Sequence, residues 1–456
     1  MQRDGAHIPF VDSGPYPIRG GNEVVPLVDG EPAFRRICEA VEAARHSVWL
    51  TVAFIDRNLQ MPDGRGSFFD VLDRAAAQGI DVRVIFWRSR ELEALEPGTH
   101  FSGTEEERSW LSARESRFLA RWDRGQKLYC QHQKSWLVDA GTSNEVAFVG
   151  GINLDRASVV RPGHPPNAAG NTHDVYVRLV GPCATDVHHN FVQRWNEASD
   201  RGEADGNWPD ASSSSNLVFP SRLSAEAGPA SVQIQRTVRR GQYSDGTATP
   251  GGLPFAIENG DPSIVDQYLK AIDAAKRTIY LEDQAIGHQP TVDALLAALE
   301  RGVEVVFLVP ADPNRGMLEA RKNPESKPFF DSITRLGQFE NFTLAGIASE
   351  DGTNIYVHAK IALIDDVWAT IGSTNIANRS FYGDTELNAS FWHEPTVRAL
   401  RCELLLEHLG RDTTGLSDVE AMRLYRRIAS ENTARRSRNE SQAAATYELD
   451  PATYAL

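Results

Sequence analysis

Two short stretches of this chain carry the same reactive residues at the same spacing: His132, Lys134 and Asp139 in one, His358, Lys360 and Asp365 in the other. An imidazole titrates near pH ~6.5, so of two imidazoles one can attack or accept a proton at neutral pH while the other donates one. The ammonium two residues after each histidine adds a compact positive charge for an anion. Each stretch then returns through Gly150-Gly151-Ile152-Asn153 or Gly372-Ser373-Thr374-Asn375, which adds two carboxamide donors and the Ser373 hydroxyl. Breaking a phosphodiester needs a nucleophile, donors for the non-bridging oxygens and a proton for the departing alkoxide. Two His, two Lys and two Asn supply all three.

One such spacing is expected by chance in roughly one sequence of this composition in a hundred, and two far more rarely. Only 7 of the 47 cationic residues are lysine, and two of those fall here. A surface needing generic positive charge would have drawn on the abundant arginine, whose planar fork does not replace a compact ammonium. A lone His or Lys on a strand is ordinarily a satisfied or solvated side chain, and a lone Asp at a strand end a turn residue. The double coincidence outweighs that reading for the paired sets. The other ten histidines, including His188, His189 and His393, have no matched partner and read as structural or surface residues.

The elements that must position these residues also recur. Residues 136–138 and 361–364 read as buried strands, with 147–149 and 368–371 as the returning strands. Alternate side chains share a face of a strand, which places His132 with Lys134 and His358 with Lys360. Upstream, Ala40–Leu50 is echoed by Ala271–Leu281, and Asp70–Ile85 by Asp293–Leu308, each a helix stopped by Gly79 or Gly302 and feeding a strand. Downstream, Asp174 and Glu386 each open a further strand that leads to a helix. The alternation implies two α/β halves.

The doubled motif with its Gly-Gly/Ser-x-Asn return resembles the phospholipase D superfamily, in its single-chain form with two motifs. Residues 355–386 and 148–153 are similar to eukaryotic-type phospholipases D, as is Tyr280-Leu-Glu-Asp-Gln284; Asn22–Gly30 is similar to cardiolipin synthases. The resemblance implies two similar halves, each a mixed sheet flanked by helices, related by a pseudo-two-fold axis with one active site at their interface. It also implies a covalent phosphohistidine on His132, with His358 protonating the leaving alcohol and then deprotonating the incoming water or alcohol. By the same analogy Lys134, Lys360, Asn153, Asn375 and Ser373 hold the phosphate, Glu386 orients His132, and Asp174 orients His358. The motif aspartates Asp139 and Asp365 belong to the catalytic motifs as structural residues that brace the interface.

The halves are expected over residues 22–198 and 231–410, joined by a polar, exposed linker at 199–230 and followed by a C-terminal helical tail at 411–456. An insertion at 91–126, rich in charge and aromatics, reads as helical, either covering the site or packing on it; 314–341 is its different counterpart. The tail carries Arg423, Arg426, Arg427, Arg435, Arg436 and Arg438 and reads as a solvated helix or as a basic membrane-surface helix.

No His-x3-His or Cys-x2-Cys spacing is present, and a lysine between His and Asp repels a cation, so the catalytic site is expected to use no metal and no cofactor. A formal net charge of -15 argues against extended nucleic-acid binding. No stretch reaches the roughly 18 apolar residues of a membrane span, the N-terminus has no apolar signal core, and the four cysteines show no framework spacing. These features fit a cytoplasmic or peripheral-membrane monomer, with signal-independent secretion left open. The expected activity is hydrolysis of the head-group phosphodiester of a glycerophospholipid at a membrane surface, with water or an alcohol as acceptor. The alternatives are phosphatidyl transfer as in cardiolipin synthesis, a nuclease-type phosphodiesterase, and a non-catalytic lipid-binding scaffold.

Overall fold

In the computed structural model, residues 7–89, 98–126, 129–166, 171–210 and 215–456 are described. The first half contributes β1 (Arg19–Val28), β2 (Ser47–Val52), β3 (Asp81–Trp87), β4 (Leu119–Asp123), β5 (Ser135–Val138), β6 (Val146–Gly150), β7 (Thr172–His173), β8 (Val175–Val180) and β9 (Asn207–Trp208). The second contributes β10 (Ala230–Thr237), β11 (Thr278–Glu282), β12 (Glu304–Leu308), β13 (Phe342–Ala348), β14 (Asn354–Val357), β15 (Ile361–Ile364), β16 (Trp368–Gly372), β17 (Glu386–Trp392) and β18 (Thr446–Glu448). Reading outward from the centre, one half runs β1-β8-β6-β5-β2-β3-β4-β9 and the other β10-β17-β16-β15-β11-β12-β13-β18. In both, the β2-β3-β4 or β11-β12-β13 run is parallel and the other neighbours in these orders pair antiparallel. The two sheets meet at β1, which pairs through Glu23–Val28 with β8 and through Arg19 and Asn22 with β10.

Both faces of each sheet are covered, which is why β2, β5, β12 and β15 are buried at nearly every position rather than alternating. Helices α1 (Gly30–Ala43) and α2 (Phe68–Ala77) cover the outer face of the first sheet, laying Phe34, Ile37, Val41, Phe69 and Leu72 into its core. After two further helices, α3 (Glu105–Ala113) and α4 (Pro182–Glu197), come α5 (Ser263–Ala274) and α6 (Gln289–Glu300), which do the same for the second sheet. The expected glycine stops hold: Gly79 (φ 84°) and Gly302 (φ 86°) take the left-handed conformation just past α2 and α6. A third apolar cluster joins the two halves, combining strands of both sheets with α4.

Four expectations are corrected. The 199–230 segment is not a free linker: β9 pairs with β4, Trp208 is buried, and Asp200 meets Arg88 in a buried ion pair at 3.0 Å. In the aromatic insertion, residues 91–97 lie outside the described residues and α3 is helical, but 119–123 forms β4, the third parallel strand, and Phe118 and Trp122 fill the first core rather than line a lid. The C-terminal region, which follows α7 (Arg315–Lys322), α8 (Lys327–Leu336), α9 (Asn378–Tyr382) and α10 (Glu394–Leu409), is neither wholly helical nor solvated. Its helix α11 (Asp418–Ser437) buries Ala421, Met422, Tyr425 and Ala429 in the shared core, Arg423 and Arg426 pair with Glu304 at 2.7 and 2.8 Å, and β18 caps the sheet beside β13. Finally, the motif His and Lys lie just ahead of β5 and β15, because the backbone there pairs across the halves instead of within a sheet ladder. Ile8, outside any expected unit, belongs to the second half: it enters its core and accepts a hydrogen bond from the Trp392 indole at 2.9 Å.

Candidate active site

The site is assembled by a reciprocal exchange. The backbone N–H of His132 donates to the Thr385 carbonyl at 2.9 Å, and that of His358 donates to the His173 carbonyl at 2.8 Å. Those carbonyls immediately precede Glu386 and Asp174. Each crossing therefore delivers a carboxylate from one half to the histidine of the other. His132 Nδ1 lies 2.9 and 3.0 Å from the Glu386 carboxylate oxygens, and His358 Nδ1 lies 2.5 Å from Asp174 Oδ2. With Nδ1 committed to a carboxylate, Nε2 of each ring is the atom left for chemistry. Both rings are nearly buried, at 6% and 8% exposure.

Lys134 and Lys360 are buried beside them, and each ammonium donates to the carbonyl of its own histidine, Lys134 at 2.8 Å. Burial draws the Lys134 ammonium down to about 8 and lowers Lys360 as well. Burial also pushes both imidazoles well below their ordinary value, and the neighbouring lysines add to it. Glu386 and Asp174 move the other way, up to about 7, because a buried carboxylate loses its hydration. Each lysine's charge bears on both carboxylates, which makes the two halves one electrostatic unit. A bound phosphate anion would favour the charged forms of the lysines and imidazoles.

Asn153 and Asn375 stand at equivalent places after β6 and β16, and the Oδ1 atom of each is buried without a hydrogen-bond partner. Ser373 does not face a phosphate: it is fully buried, its hydroxyl donates to Glu386 Oε2 at 2.5 Å, and it accepts from the Leu387 N–H at 3.1 Å. The longer Glu386 leaves room for that support. On the other side a Cβ at Gly151 would stand 2.5 Å from Asp174 Oδ1, so a serine there collides with the carboxylate it would have to hold.

Asp139 and Asp365 do not brace the interface. They sit at the far ends of β5 and β15 in the left-handed conformation, φ 56° and 55°, and each receives backbone N–H groups of its own half. Asp139 Oδ1 accepts from Arg45, His46 and Ser47 at 2.8, 2.7 and 3.3 Å; Asp365 accepts from Lys276, Arg277 and Thr278 at 2.8, 2.8 and 2.7 Å. Both lock the turn between a helix and the first strand of the parallel run, β2 or β11. Distance from the histidines removes them from the chemistry.

Three contributors escaped sequence reasoning. Asp283, at the end of the Tyr280–Gln284 stretch, accepts from the Ala285 and Ile376 N–H groups at 2.8 Å each, fixing the loop beside Asn375, and burial raises its carboxyl to about 8. Phe54 stands edge-on to His132 at 6.0 Å between ring centroids, and Tyr356 lies 6.3 Å from His358, so an aromatic ring flanks each imidazole. The signal for Asp283 was its place in the repeat, where the first half has Val52.

The comparisons agree with this geometry. The model of the family described as "Cardiolipin synthase, PLD-like domain" matches residues 37–163 and 268–405, and that of "Phospholipase D" matches 166–289. Phospholipase D alpha 2 of Oryza sativa subsp. japonica is 25% identical over 567 residues, covering 93% of this chain and 68% of that protein. A cardiolipin synthase of Listeria innocua serovar 6a is 23% identical over 407 residues, covering 87% and 71%. The solved phosphatidylserine synthase of Haemophilus influenzae Rd KW20 shares the fold, with a TM-score of 0.55 at 11% identity over 94% of this chain and 97% of that one. With the family models spanning more than half the chain, and both motifs standing in one reciprocal site, the chain belongs to the phospholipase D superfamily.

Proposed function

We propose that this enzyme hydrolyses the head-group phosphodiester of glycerophospholipids to phosphatidate and a free alcohol. The observation that carries this is the pair of exchanged contacts, His132 with Glu386 and His358 with Asp174, closing around two buried lysines. His132 Nε2 attacks phosphorus while His358 Nε2, protonated, gives its proton to the leaving alkoxide, leaving a phosphatidyl group on His132. His358 then takes a proton from water, which attacks the phosphohistidine and restores the free imidazole. Lys134, Lys360 and the amides of Asn153 and Asn375 stabilise the charge on the non-bridging oxygens. A metal-free cycle is part of the proposal, since the two ammonium groups occupy the place a cation would take.

The names of the relatives favour a second reading, phosphatidyl transfer, in which an alcohol replaces water in the second step. The chemistry on the protein is identical until the acceptor arrives. Mixed phospholipid vesicles, assayed for head-group release and for phosphatidyl transfer with and without added alcohol, separate the two, and a DNA-cleavage arm runs beside them. Head-group release without alcohol is expected. Transfer alone overturns hydrolysis in favour of the second reading, and inertness toward lipid with DNA cleavage overturns both.

A further inference from the structure

Between the halves, behind the Asp174 side of the site, lies a dry cluster of four groups. Asp29 follows β1, His164 lies in the loop after the first motif, His173 ends β7, and Glu407 comes from α10 of the second half. We propose that Asp29, His164, His173 and Glu407 bind one divalent transition-metal cation of the zinc class, which pins the two halves together beside the catalytic site.

The ring nitrogens give the first argument. His164 Nδ1 lies 2.6 Å from Asn171 Oδ1 and His173 Nε2 lies 2.9 Å from Glu282 Oε2, and both partners are acceptors, so these nitrogens carry the protons. If each ring is neutral, its opposite nitrogen presents a lone pair to the cluster, His164 Nε2 toward Glu407 and Asp29 and His173 Nδ1 toward Asp29 Oδ1 at 3.0 Å. A ligating histidine whose other nitrogen donates to an oxygen acceptor is the usual outer arrangement of a metal site. Such a set is closed either by protons on the rings or by one cation at its centre.

Geometry argues that the cation is one ion rather than a proton on each ring. His164 Nε2 is 3.0 Å from Glu407 Oε1 and 3.4 Å from Asp29 Oδ2, yet makes a hydrogen bond to neither, and Asp29 Oδ2 is likewise without one. Asp29 and His173 are fully buried and His164 is 1% exposed, so these groups are shut off from bulk solvent. Two further contacts, His173 Nδ1 to Asp29 Oδ1 at 3.0 Å and to Glu407 Oε1 at 3.7 Å, bring these four contacts to a range of 3.0–3.7 Å, and one ligand atom from each residue lies within 4.8 Å of every other. Ligands at about 2.0–2.1 Å from a tetrahedral zinc stand roughly 3.3 Å apart, inside that range. Two imidazoles with two carboxylates suit zinc better than the all-oxygen preference of calcium or magnesium. The adjoining group of His173, Glu282 and His408 is less open, because the Tyr280 hydroxyl already donates to Glu282 at 2.6 Å and lies 3.0 Å from His408 Nδ1.

The site bears on catalysis by position. The His173 carbonyl receives the His358 and Ala359 N–H groups at 2.8 and 3.1 Å, and the next residue is Asp174. The test uses the whole purified chain, stripped with a chelator, exchanged into metal-free buffer and titrated with Co2+. One equivalent is expected to bind with the ligand-field bands of four-coordinate cobalt, to be displaced by Zn2+, and to raise the unfolding temperature. His164→Gln and Glu407→Gln are each expected to weaken binding tenfold or more, while His46→Gln, on an exposed histidine elsewhere, leaves it unchanged. Absence of the bands in the wild-type chain, which needs no variant to fold, overturns the proposal and leaves two imidazoliums bridging carboxylates. So do bands that survive both substitutions. None of these readouts depends on which phosphodiester the enzyme cleaves.

Discussion

At the crossing that carries His132, the residue two before the exchanged carboxylate is Asp384, which accepts from the Cys130 N–H at 2.6 Å and pairs with the half-exposed Arg379 at 2.9 Å. At the crossing that carries His358, the residue one before the carboxylate is His173, wholly buried between Asp29 and Glu282. The backbone hydrogen bond made by each histidine is nearly the same length, 2.9 and 2.8 Å, while the side chains behind it have nothing in common. One crossing is tied at the rim by a surface ion pair. The other is tied from within by a histidine–carboxylate cluster. The repeat has thus kept the placement of two imidazoles and rebuilt the support of each, as the proposed division between a nucleophile and an acid would require.

The largest test of that division is removal of the rings. His132→Ala and His358→Ala are each expected to lower kcat by about 10⁴-fold or more. Rapid-quench labelling separates them: no phosphoenzyme forms in His132→Ala, whereas His358→Ala with a substrate whose leaving group needs no proton accumulates it. Label attached to His358 in the first variant would reverse the assignment.

Next come the lysines. Lys134→Arg is expected to cost about 10²–10³-fold in kcat, because a fork does not fit a site shaped for a point charge. The pH profile sharpens this. Lys134 must be protonated to hold the phosphate, its ammonium is drawn down to about 8 by burial, and Lys360 lowers it further while Glu386, Cys130 and Asp174 oppose the fall. The kcat/KM of the wild type should therefore drop as pH rises through about 8. In Lys134→Arg that alkaline limb should vanish from whatever activity is left.

The exchanged carboxylates follow, with Glu386→Gln and Asp174→Asn each expected to cost about 10–100-fold, the usual scale for a partner that orients an imidazole. Their supports then differ. Ser373→Gly removes one hydrogen bond and should cost only a few-fold, while Gly151→Ser, driven against Asp174, should cost more than that; equal effects would dissolve the asymmetry. The smallest effect on rate belongs to Asp139→Asn. Losing a buried anion that accepts three N–H groups should lower stability by about 2–3 kcal/mol, read by thermal unfolding, with kcat little changed.

Much of the site was legible because it is written in residue type: a repeated His-x-Lys is visible without knowing where the chain goes, and the acidic residues opening β8 and β17 could be matched to it. The strand–helix alternation followed from apolar runs broken by Gly79 and Gly302. What could not be read was anything decided across the chain. β9 and β18 are short edge strands within polar sequence, recruited by a neighbour rather than by their own propensity. The tail's arginines looked like a free basic face because Glu304, which binds two of them, lies more than a hundred residues earlier. His173 read as one unmatched histidine among ten, since its partners come from residues 29, 282 and 407. Asp139 and Asp365 were recognised as structural, but only the folded chain shows that what they hold is their own helix–strand turn.

The exchange of carboxylates has a mechanical side. Because each imidazole is carried by one half and tuned by the other, a slip of the halves by less than the length of a hydrogen bond detunes attack and protonation in the same instant. The enzyme has no half-working state to fall back on. Turnover should then act as a gauge of alignment between the halves, falling away in mild denaturant while circular dichroism still shows intact helices and sheets.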